Sequence, residues 1–369
     1  MGSSKVPAPD RYRLVESVWQ PEGAFGPRRA RVPVRIQSYV PAPLQGRHWR
    51  FSAAASAAFG DAQARISETQ QHADRIGLNT VARQLLRSES MASSQMEGIA
   101  VPSHRSLAKA EIGRQHREAA QAALANVAAV TWAYGWASAR SEPFSPEVIA
   151  AIHTRIAAAD RWLAPRAGEL RERQNWIGDD PYTPAGAEFI PPPPQEIDPL
   201  LDDLCAFLNR TDLPPVAQAA IAHVQFETIH PFADGNGRVG RALIGASLCR
   251  SGLCRDVVPP ISLVFAGRKA AYIEALTAFR YEDEDAWLLL MAEAAERAAG
   301  ASLELADRIA ALQDEWRAAA GRPRRDSATE LLIRLLPAEP VLNVELAAER
   351  TGRSQEAIRQ ALKDRKSVV

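Results

Sequence analysis

Apolar residues recur every three to four positions through most of the chain between residues 51 and 320, as in FSAAASAAFGDAQARISETQQHADR and TVARQLLRSESMASS. This spacing places the apolar side chains on one face of an α-helix. Only residues 168–197 break the pattern, with Asp-Pro and Thr-Pro pairs and four consecutive prolines at 191–194, which predict a loop or a short hairpin. The sequence therefore predicts an all-α helical bundle with one small β-hairpin, placed in this proline-rich region.

Changes in composition divide the chain into four predicted regions. They are an extended arm rich in proline and arginine (1–50), an N-terminal helical region (51–115), a helical core (116–320) and a C-terminal segment (321–369). The C-terminal segment starts with the basic linker GRPRRDS and continues with three short helical patterns, with Gly352 before the third. This spacing is typical of a helix-turn-helix, as in winged-helix domains.

Residues 121–139 carry no charge, and RSLAKAEIGRQHREAAQ is predicted to continue into them as one helix. The stretch is mostly alanine and lacks the density of leucine and isoleucine that a membrane span needs. A buried core helix is therefore predicted, and no association with a membrane is expected.

The charges are balanced, with 44 lysines and arginines against 44 aspartates and glutamates, so net charge gives no argument for binding to nucleic acid or to an acidic membrane. The three cysteines, Cys205, Cys249 and Cys254, have no C-x-x-C spacing, which argues against structural zinc and against a disulfide framework. The N-terminus lacks the apolar segment of a secretory signal. A cytoplasmic location is expected, and the oligomeric state, including a homodimer, stays open.

Residues 230–241, HPFADGNGRVGR, combine groups suited to a phosphorylated ligand. Gly235-Asn236-Gly237 directly precedes a predicted helix, and its successive N–H groups can form an anion-binding concavity. Arg238 and Arg241 are three residues apart, so they share a helix face and can both bind phosphate oxygens.

The same stretch contains one carboxylate and one imidazole. Asp234 would repel a bare phosphate, but it suits a Mg²⁺ ion that bridges phosphates, since Mg²⁺ is typically held by one or two carboxylates, phosphate oxygens and waters. His230 can be neutral near pH 7 and can accept the proton of an attacking hydroxyl. These residues predict a site for a magnesium-bound nucleotide and a hydroxyl nucleophile.

This stretch fits every fixed position of the Fic-domain signature, H-x-F-x-[DE]-G-N-G-R-x-x-R, and the chain is identified as resembling that family. The resemblance extends from about residue 55 to about residue 300. GELRERQNWIG together with AEFIPPPPQEI resembles the flap of the family, and SSQMEG (93–98) resembles its inhibitory motif, [ST]-x-x-x-E-[GN]. The expected fold is a Fic-type helical bundle with a β-hairpin flap.

The resemblance implies a protein adenylyltransferase, which transfers AMP from ATP to a Ser, Thr or Tyr hydroxyl of a target protein. It implies His230 as the base and Asp234 as the Mg²⁺ ligand. It assigns Gly235, Asn236 and Gly237 to the β-phosphate, with Arg238 in support, and Arg241 to the γ-phosphate. Family members that act as kinases carry lysine at the second glycine of this loop, and Gly237 argues against that activity here.

The resemblance also implies two further elements around the site. Glu97 is expected to pair with Arg241 and to inhibit the enzyme, with Ser93 on the same helix face and Gly98 at the helix end. Glu188, Phe189 and Ile190 of the flap are expected to present an unpaired edge to an extended segment of the target.

Several alternatives stay open at this point. The same site could remove AMP or transfer another nucleotide, such as a uridylyl group, or phosphocholine. The C-terminal segment could make the protein a DNA-binding regulator, with Arg359, Lys363 and Arg365 reaching phosphates, or its last helix could be an ordinary solvated face. Tyr272 is predicted either in the core or in the nucleobase pocket, and His223 is predicted as a buried support residue. The remaining histidines, His48, His72, His104, His116 and His153, show no metal-binding spacing.

Overall fold

The computed structural model of the chain describes residues 11–21, 27–76, 79–99, 103–111, 113, 118–255, 257–281, 283–339 and 341–363. Two strands, β1 (Tyr12–Trp19) and β2 (Val34–Pro41), precede the helices. In chain order the helices are α1 (Ala53–Ile76), α2 (Asn79–Met96), α3 (His104–Glu111), α4 (Glu118–Ala139), α5 (Pro146–Ala157), α6 (Ile197–Leu208), α7 (Pro215–Ile229), α8 (Asn236–Ser251), α9 (Ile261–Gly267), α10 (Lys269–Tyr281), α11 (Glu284–Ala319), α12 (Ala328–Leu335), α13 (Val344–Thr351) and α14 (Gln355–Lys363). Two residues considered in the sequence analysis, His116 and Arg365, lie outside the described residues.

The predicted all-α fold class is confirmed, but the β-hairpin lies elsewhere than expected. β1 and β2 pair in antiparallel register, from Tyr12 opposite Pro41 to Trp19 opposite Val34, so the hairpin belongs to the predicted N-terminal arm. The flap contains a single β-bridge between Ile177 and Phe189. The flap is therefore largely a loop, as its four consecutive prolines favour.

Helices α7 and α8 form the centre of the core and bring the motif residues into a buried environment. Every residue of α7 after Pro215 is buried, which fits its apolar and alanine-rich sequence. α4 packs against α8 so closely that a Cβ on Gly245 would overlap the Tyr134 ring. The glycine therefore sets the distance between these two helices.

The predicted continuous helix after residue 105 is interrupted in the structure. α3 ends at Glu111 and α4 starts at Glu118, with Gly113 between them in the left-handed region at φ 70°. α4 itself covers the uncharged stretch and buries one face, which includes Asn126, Val130 and Tyr134. Among the described residues, no helix has both the length and the hydropathy required to cross a membrane.

The C-terminal unit, defined as α12, α13 and α14, has its own small core of Leu332, Ala347, Ile358 and Ala361. Gly352 ends α13 in the left-handed region at φ 65°, at the position where the sequence predicts a turn. The unit is attached to α11, where Gln313 Nε2 donates to the Ile333 carbonyl over 3.2 Å. Three helices are present as predicted, and their assignment as a DNA-binding helix-turn-helix stays a prediction.

Candidate active site

A tight loop joins α7 to α8, and Asp234 in this loop is exposed while Phe232 is buried. His230 ends α7 in the left-handed region at φ 50°, and Gly235 precedes α8 at φ 81°. Asn236 closes the loop between them, since its Oδ1 accepts from the Phe232 N–H over 2.9 Å and its Nδ2 donates to the Phe232 carbonyl over 2.8 Å. The Asn236 side chain therefore shapes the loop, and only its main chain is available to a phosphate.

Arg171 supports the loop from the flap side, a role that the sequence does not indicate. Its Nε donates to the His230 carbonyl over 2.8 Å and its Nη2 donates to the Pro192 carbonyl over 2.5 Å. Burial lowers the pKa of Arg171 to about 10, so the guanidinium stays charged at neutral pH. This single side chain joins the loop between α7 and α8 to the proline-rich end of the flap.

His153 of α5 supports the loop from the opposite side and is also missed by sequence reasoning. Its ring is stacked on Phe232 with centroids 3.9 Å apart, and its Nδ1 accepts from the Gly168 N–H over 2.8 Å. Burial lowers the pKa of His153 to about 4, so the ring is neutral and its Nε2 can donate to the Asp234 carbonyl over 3.1 Å. No motif spacing marks this residue, because it reaches the loop from 81 residues away in the chain.

His230 lines the cavity as a neutral imidazole. Burial and the positive charges of Arg171 and Arg280 lower its pKa to about 4, against a smaller opposing effect of the Glu227 carbonyl and the Glu97 carboxylate. Its Nδ1 is buried and has no hydrogen-bond partner among the described residues. Nε2 is then the nitrogen that can meet a ligand, and it can accept a proton.

The start of α8 provides main-chain donors next to an exposed carboxylate. Asp234 is exposed, and its Oδ1 accepts from the Gly235 N–H over 2.5 Å. Arg238 is buried beneath this turn, with Nη2 3.5 Å from the position that a Cβ on Gly235 would take. Arg238 and Arg241 start from one helix face as predicted, and the positive charges of both lower the pKa of Glu97.

The Arg241 guanidinium is held by the end of α2. Its Nε donates to Ser93 Oγ over 2.9 Å, and its Nη2 donates to the Ser93 carbonyl over 2.7 Å and to Glu97 Oε1 over 2.6 Å. Burial alone would raise the pKa of Glu97, but the charge and hydrogen bond of Arg241 outweigh burial and lower it. Ser93, Glu97 and Arg241 are therefore brought together as predicted, with Glu97 as an anion.

Glu97 also lies against Gly237 in the first turn of α8. A Cβ on Gly237 would overlap Glu97 Oε1 and would come within 2.9 Å of Arg241 Nη1. The carboxylate thus occupies the space directly over the first turn of α8, where free N–H groups favour an anion. The stretches SSQMEG and HPFADGNGRVGR therefore meet at this one point.

A cavity of about 410 Å³ contains these groups and is large enough for a small-molecule ligand. Its lining includes Glu97, Glu227, His230, Gly237, Arg241 and Tyr272. Tyr272 is both buried and part of the lining, and its hydroxyl lies 2.8 Å from His223 Nε2. His223 is fully buried, as predicted for a support residue.

The flap covers one side of this cavity, with a main chain that is more fully paired than the sequence predicts. The Ile177 N–H donates to the Phe189 carbonyl over 2.8 Å, and the Phe189 N–H donates back over 3.2 Å. The Ile190 carbonyl accepts from the Tyr39 N–H of β2 over 2.8 Å. Phe189 is buried under the Arg280 guanidinium, so the prediction of an unpaired edge is wrong for this residue. The Ile190 N–H and the Glu188 carbonyl have no partner among the described residues.

Comparison with known proteins agrees with this arrangement. The model of the Fic/DOC family matches residues 143–248, which include α5, the flap, α7, the loop and most of α8. Residues 143–248 are a Fic domain. The matched residues include His230, Asp234 and Arg241, whereas Ser93 of α2 and Glu97 directly after α2 lie outside them.

Relatives named as adenylyltransferases cover part of the chain. A probable protein adenylyltransferase of Aquifex aeolicus is 41% identical over 92 residues, 25% of this chain and 26% of that protein. Protein adenylyltransferase Fic of Nematostella vectensis is 30% identical over 167 residues, 44% of this chain and 35% of that protein. The chain thus spans about a quarter to about a third of the length of these relatives.

Solved structures share the fold over a longer range. A Fic family protein from Desulfovibrio desulfuricans matches with a TM-score of 0.57 and 21% identity, over 86% of this chain and 90% of that one. Fic-1 from C. elegans matches with a TM-score of 0.53 and 19% identity, over 69% of this chain and 74% of that one. At these identities the likeness establishes the fold.

Proposed function

We propose that the Fic domain transfers AMP from ATP to a hydroxyl group of a target protein, and that Glu97 keeps the site inactive. The observation that carries this proposal is the hydrogen bond between Glu97 and Arg241 in the cavity that also contains His230. A carboxylate on a buried guanidinium takes the position that a phosphate oxygen would take. The names of the adenylyltransferase relatives support the reaction type.

His230 acts as the general base. Its lowered pKa, about 4, keeps the imidazole unprotonated at neutral pH, so it can accept the proton of the target hydroxyl. The hydroxyl oxygen forms a bond to the α-phosphorus, the bond between that phosphorus and the α,β-bridging oxygen breaks, and pyrophosphate leaves. The main-chain N–H groups at the start of α8 bind the phosphate chain, and Arg241 binds its γ-phosphate end.

Asp234 is the residue that would hold Mg²⁺. Its carboxylate is exposed, and the one hydrogen bond it accepts leaves Oδ2 free, which suits an ion that takes a single protein carboxylate, phosphate oxygens and waters. Mg²⁺, when bound, neutralises charge on the phosphates. Asp234 is held in place by its own turn and by His153, which binds its main-chain carbonyl.

Inhibition follows from competition for one guanidinium. Arg241 has few donors left for phosphate while its Nε and Nη2 are bound to Ser93 and Glu97. The Glu97 carboxylate also fills the space above Gly237, where it repels a phosphate by charge and by volume. ATP cannot then adopt the position in which its α-phosphorus faces His230.

The target docks beside the flap. The free Ile190 N–H and Glu188 carbonyl can pair with an extended segment, which would present a Ser, Thr or Tyr hydroxyl to His230. A groove of about 740 Å³ between the flap and the hairpin shares Glu188 and Phe189 with the catalytic cavity. An extended segment could therefore run along the hairpin before it reaches the catalytic cavity.

Labelled ATP tests the proposal. We expect Glu97→Gly to incorporate label from α-labelled ATP far faster than the wild-type chain, because Arg241 is released. We expect Glu97→Gly/His230→Ala to lose about 10²- to 10⁴-fold of that rate, which is typical for removal of a positioned base. Equal incorporation by the wild-type and Glu97→Gly chains would contradict the inhibition.

The position of the label and the choice of nucleotide separate the alternatives. Label retained from γ-labelled ATP would indicate phosphoryl transfer and would contradict adenylyl transfer. If label is incorporated faster from UTP or from CDP-choline than from ATP, that compound is the donor instead of ATP. Loss of pre-formed AMP–protein in the wild-type chain, dependent on Glu97, would indicate that the site works mainly in reverse.

A further inference from the structure

α2, which carries Ser93 and ends directly before Glu97, is attached through its first half to the C-terminal unit. Residues 337–339, called the connector here, lie between α12 and α13. Gln84 Nε2 of α2 donates to the Pro337 carbonyl over 2.6 Å, and Arg87 Nη1 donates to the Ala338 carbonyl over 2.6 Å. Arg87 Nη2 also pairs with Glu339 Oε2 at 3.3 Å. The connector thus binds consecutive turns of α2.

The ion pair between Arg87 and Glu339 is buried. Arg87 is 0% exposed and Glu339 is 3% exposed, so each charge depends on its protein partners rather than on water. Arg83 of α2 also pairs with Glu339, and Arg350 of α13 lies 3.9 Å from the same carboxylate. Removal of the Glu339 charge would leave Arg87 buried beside the connector without its carboxylate partner.

α2 can transmit the position of the connector to the active site. It is an uninterrupted helix without glycine or proline, and Ser93 follows Arg87 by six residues, about 9 Å along the axis. Between these points α2 also bonds to α9 and α4: the Ser262 N–H donates to Glu89 Oε2 over 2.9 Å, and Asn126 Nδ2 donates to the Ser90 carbonyl over 2.8 Å. A change in the connector therefore acts on the same rigid element that places Glu97.

We propose that the C-terminal unit is part of the inhibitory apparatus, and that the connector holds α2 in the position in which Glu97 occupies Arg241. This inference rests on the proposed adenylyl transfer and on its inhibition by Glu97. It assigns the C-terminal unit a role in controlling the Fic domain, whatever else the unit binds. A ligand or partner that pulled the connector from α2 would activate the enzyme.

The test compares full-length variants by AMP incorporation and by hydrogen exchange of α2 amides. Glu339→Gln removes the charge at constant size, and Glu349→Gln removes an exposed charge from α13 as the matched control. We expect Glu339→Gln to raise incorporation by roughly 2- to 30-fold, the range found for mutations in coupled networks, and to speed exchange in α2. Glu349→Gln should change neither quantity.

Two further variants complete the design. Gln84→Met removes the hydrogen bond to Pro337 without burying a charge, so it should fold as the wild type does and raise incorporation in the same direction by less. Glu97→Gly/Glu339→Gln should incorporate AMP no faster than Glu97→Gly, because both changes release the same arginine.

The outcomes separate the two proposals. If Glu97→Gly is activated while Glu339→Gln and Gln84→Met both match the wild type, the connector does not control the site and the inference is overturned. If Glu97→Gly is itself not activated, the inhibition by Glu97 is wrong, and the control by the connector falls with it.

Discussion

Glu227 is a carboxylate that the fold keeps almost completely from water. It is 7% exposed, and its Oε1 has no hydrogen-bond partner among the described residues. Burial raises the pKa of Glu227 to about 7, against the opposing charges of Arg241 and Arg280 and with a smaller contribution from Glu97. Nothing in its sequence position, three residues before the motif, indicates this environment.

We expect Glu227→Gln to change how the stability of the protein depends on pH. A carboxyl whose pKa rises on folding contributes stability that is complete below its unfolded pKa, near 4.5, and is lost as the pH rises through about 7. This pKa shift corresponds to at most about 3 kcal/mol of unfolding free energy. Glutamine does not ionise, so the variant does not lose this free energy as the pH rises. We therefore expect denaturant unfolding at pH 5 and pH 8 to show that the unfolding free energy of the variant, relative to the wild type, increases with pH. Glu296→Gln, at an exposed position, should show the same pH dependence as the wild type.

At the residue scale, local spacing in the sequence identifies candidate site residues, but it misses the side chains that hold them in place. The fixed spacing of the motif is local, so His230, Asp234 and Arg241 can be assigned from twelve consecutive residues. His153 and Arg171 bind the same loop from 81 and 59 residues away. Such contacts depend on how helices pack, and no local spacing reports them.

At the scale of the elements, apolar periodicity predicts the helices. The predictions are wrong where contacts between distant segments of the chain determine the structure. RVPVRIQSYV has strand-forming residues, but its strand requires a partner, which is Tyr12–Trp19. The flap has fewer main-chain bonds than a hairpin because prolines lack the N–H donor. The break after α3 depends on Gly113, whose left-handed φ ends the helix.

The flap carries a prediction about docking. Ile190→Pro removes the free N–H that would pair with a target, while the carbonyl that accepts from Tyr39 remains. In the Glu97→Gly background we expect it to reduce labelling of the target bands in a cell lysate by several-fold. MgATP affinity, measured by calorimetry, should stay unchanged.

Ile190→Ala in the same background is the matched control, because it shortens the side chain and keeps the N–H. Equal loss of labelling in both variants would attribute docking to the side chain instead of the main chain. Loss of ATP affinity in Ile190→Pro would indicate that the flap shapes the nucleotide cavity rather than the docking edge.

At the scale of the whole molecule, the helical bundle is predictable from periodicity, but the placement of the C-terminal unit is not. The unit is fixed to α2 through Arg87 and Glu339, which are 252 residues apart in the chain. The DNA-binding role of its last helix stays a prediction, and Arg359 there is bonded to Gln355 and paired with Glu356 of the same helix. The contact with α2 links this unit physically to the helix that carries Ser93.

Occupation of Arg241 by Glu97 should be visible in the thermal stability of the entire chain. A ligand that binds only the folded state stabilises it by about 2.7 kcal/mol at 100 times its Kd, which raises the Tm of a chain of this size by a few degrees. We expect MgATP to raise the Tm of Glu97→Gly more than that of the wild type at equal concentration, because only the variant has Arg241 and the space over Gly237 free for phosphate. MgADP lacks the γ-phosphate and should raise the two Tm values by more similar amounts. An equal rise of both proteins with MgATP would indicate that Glu97 does not compete with the nucleotide.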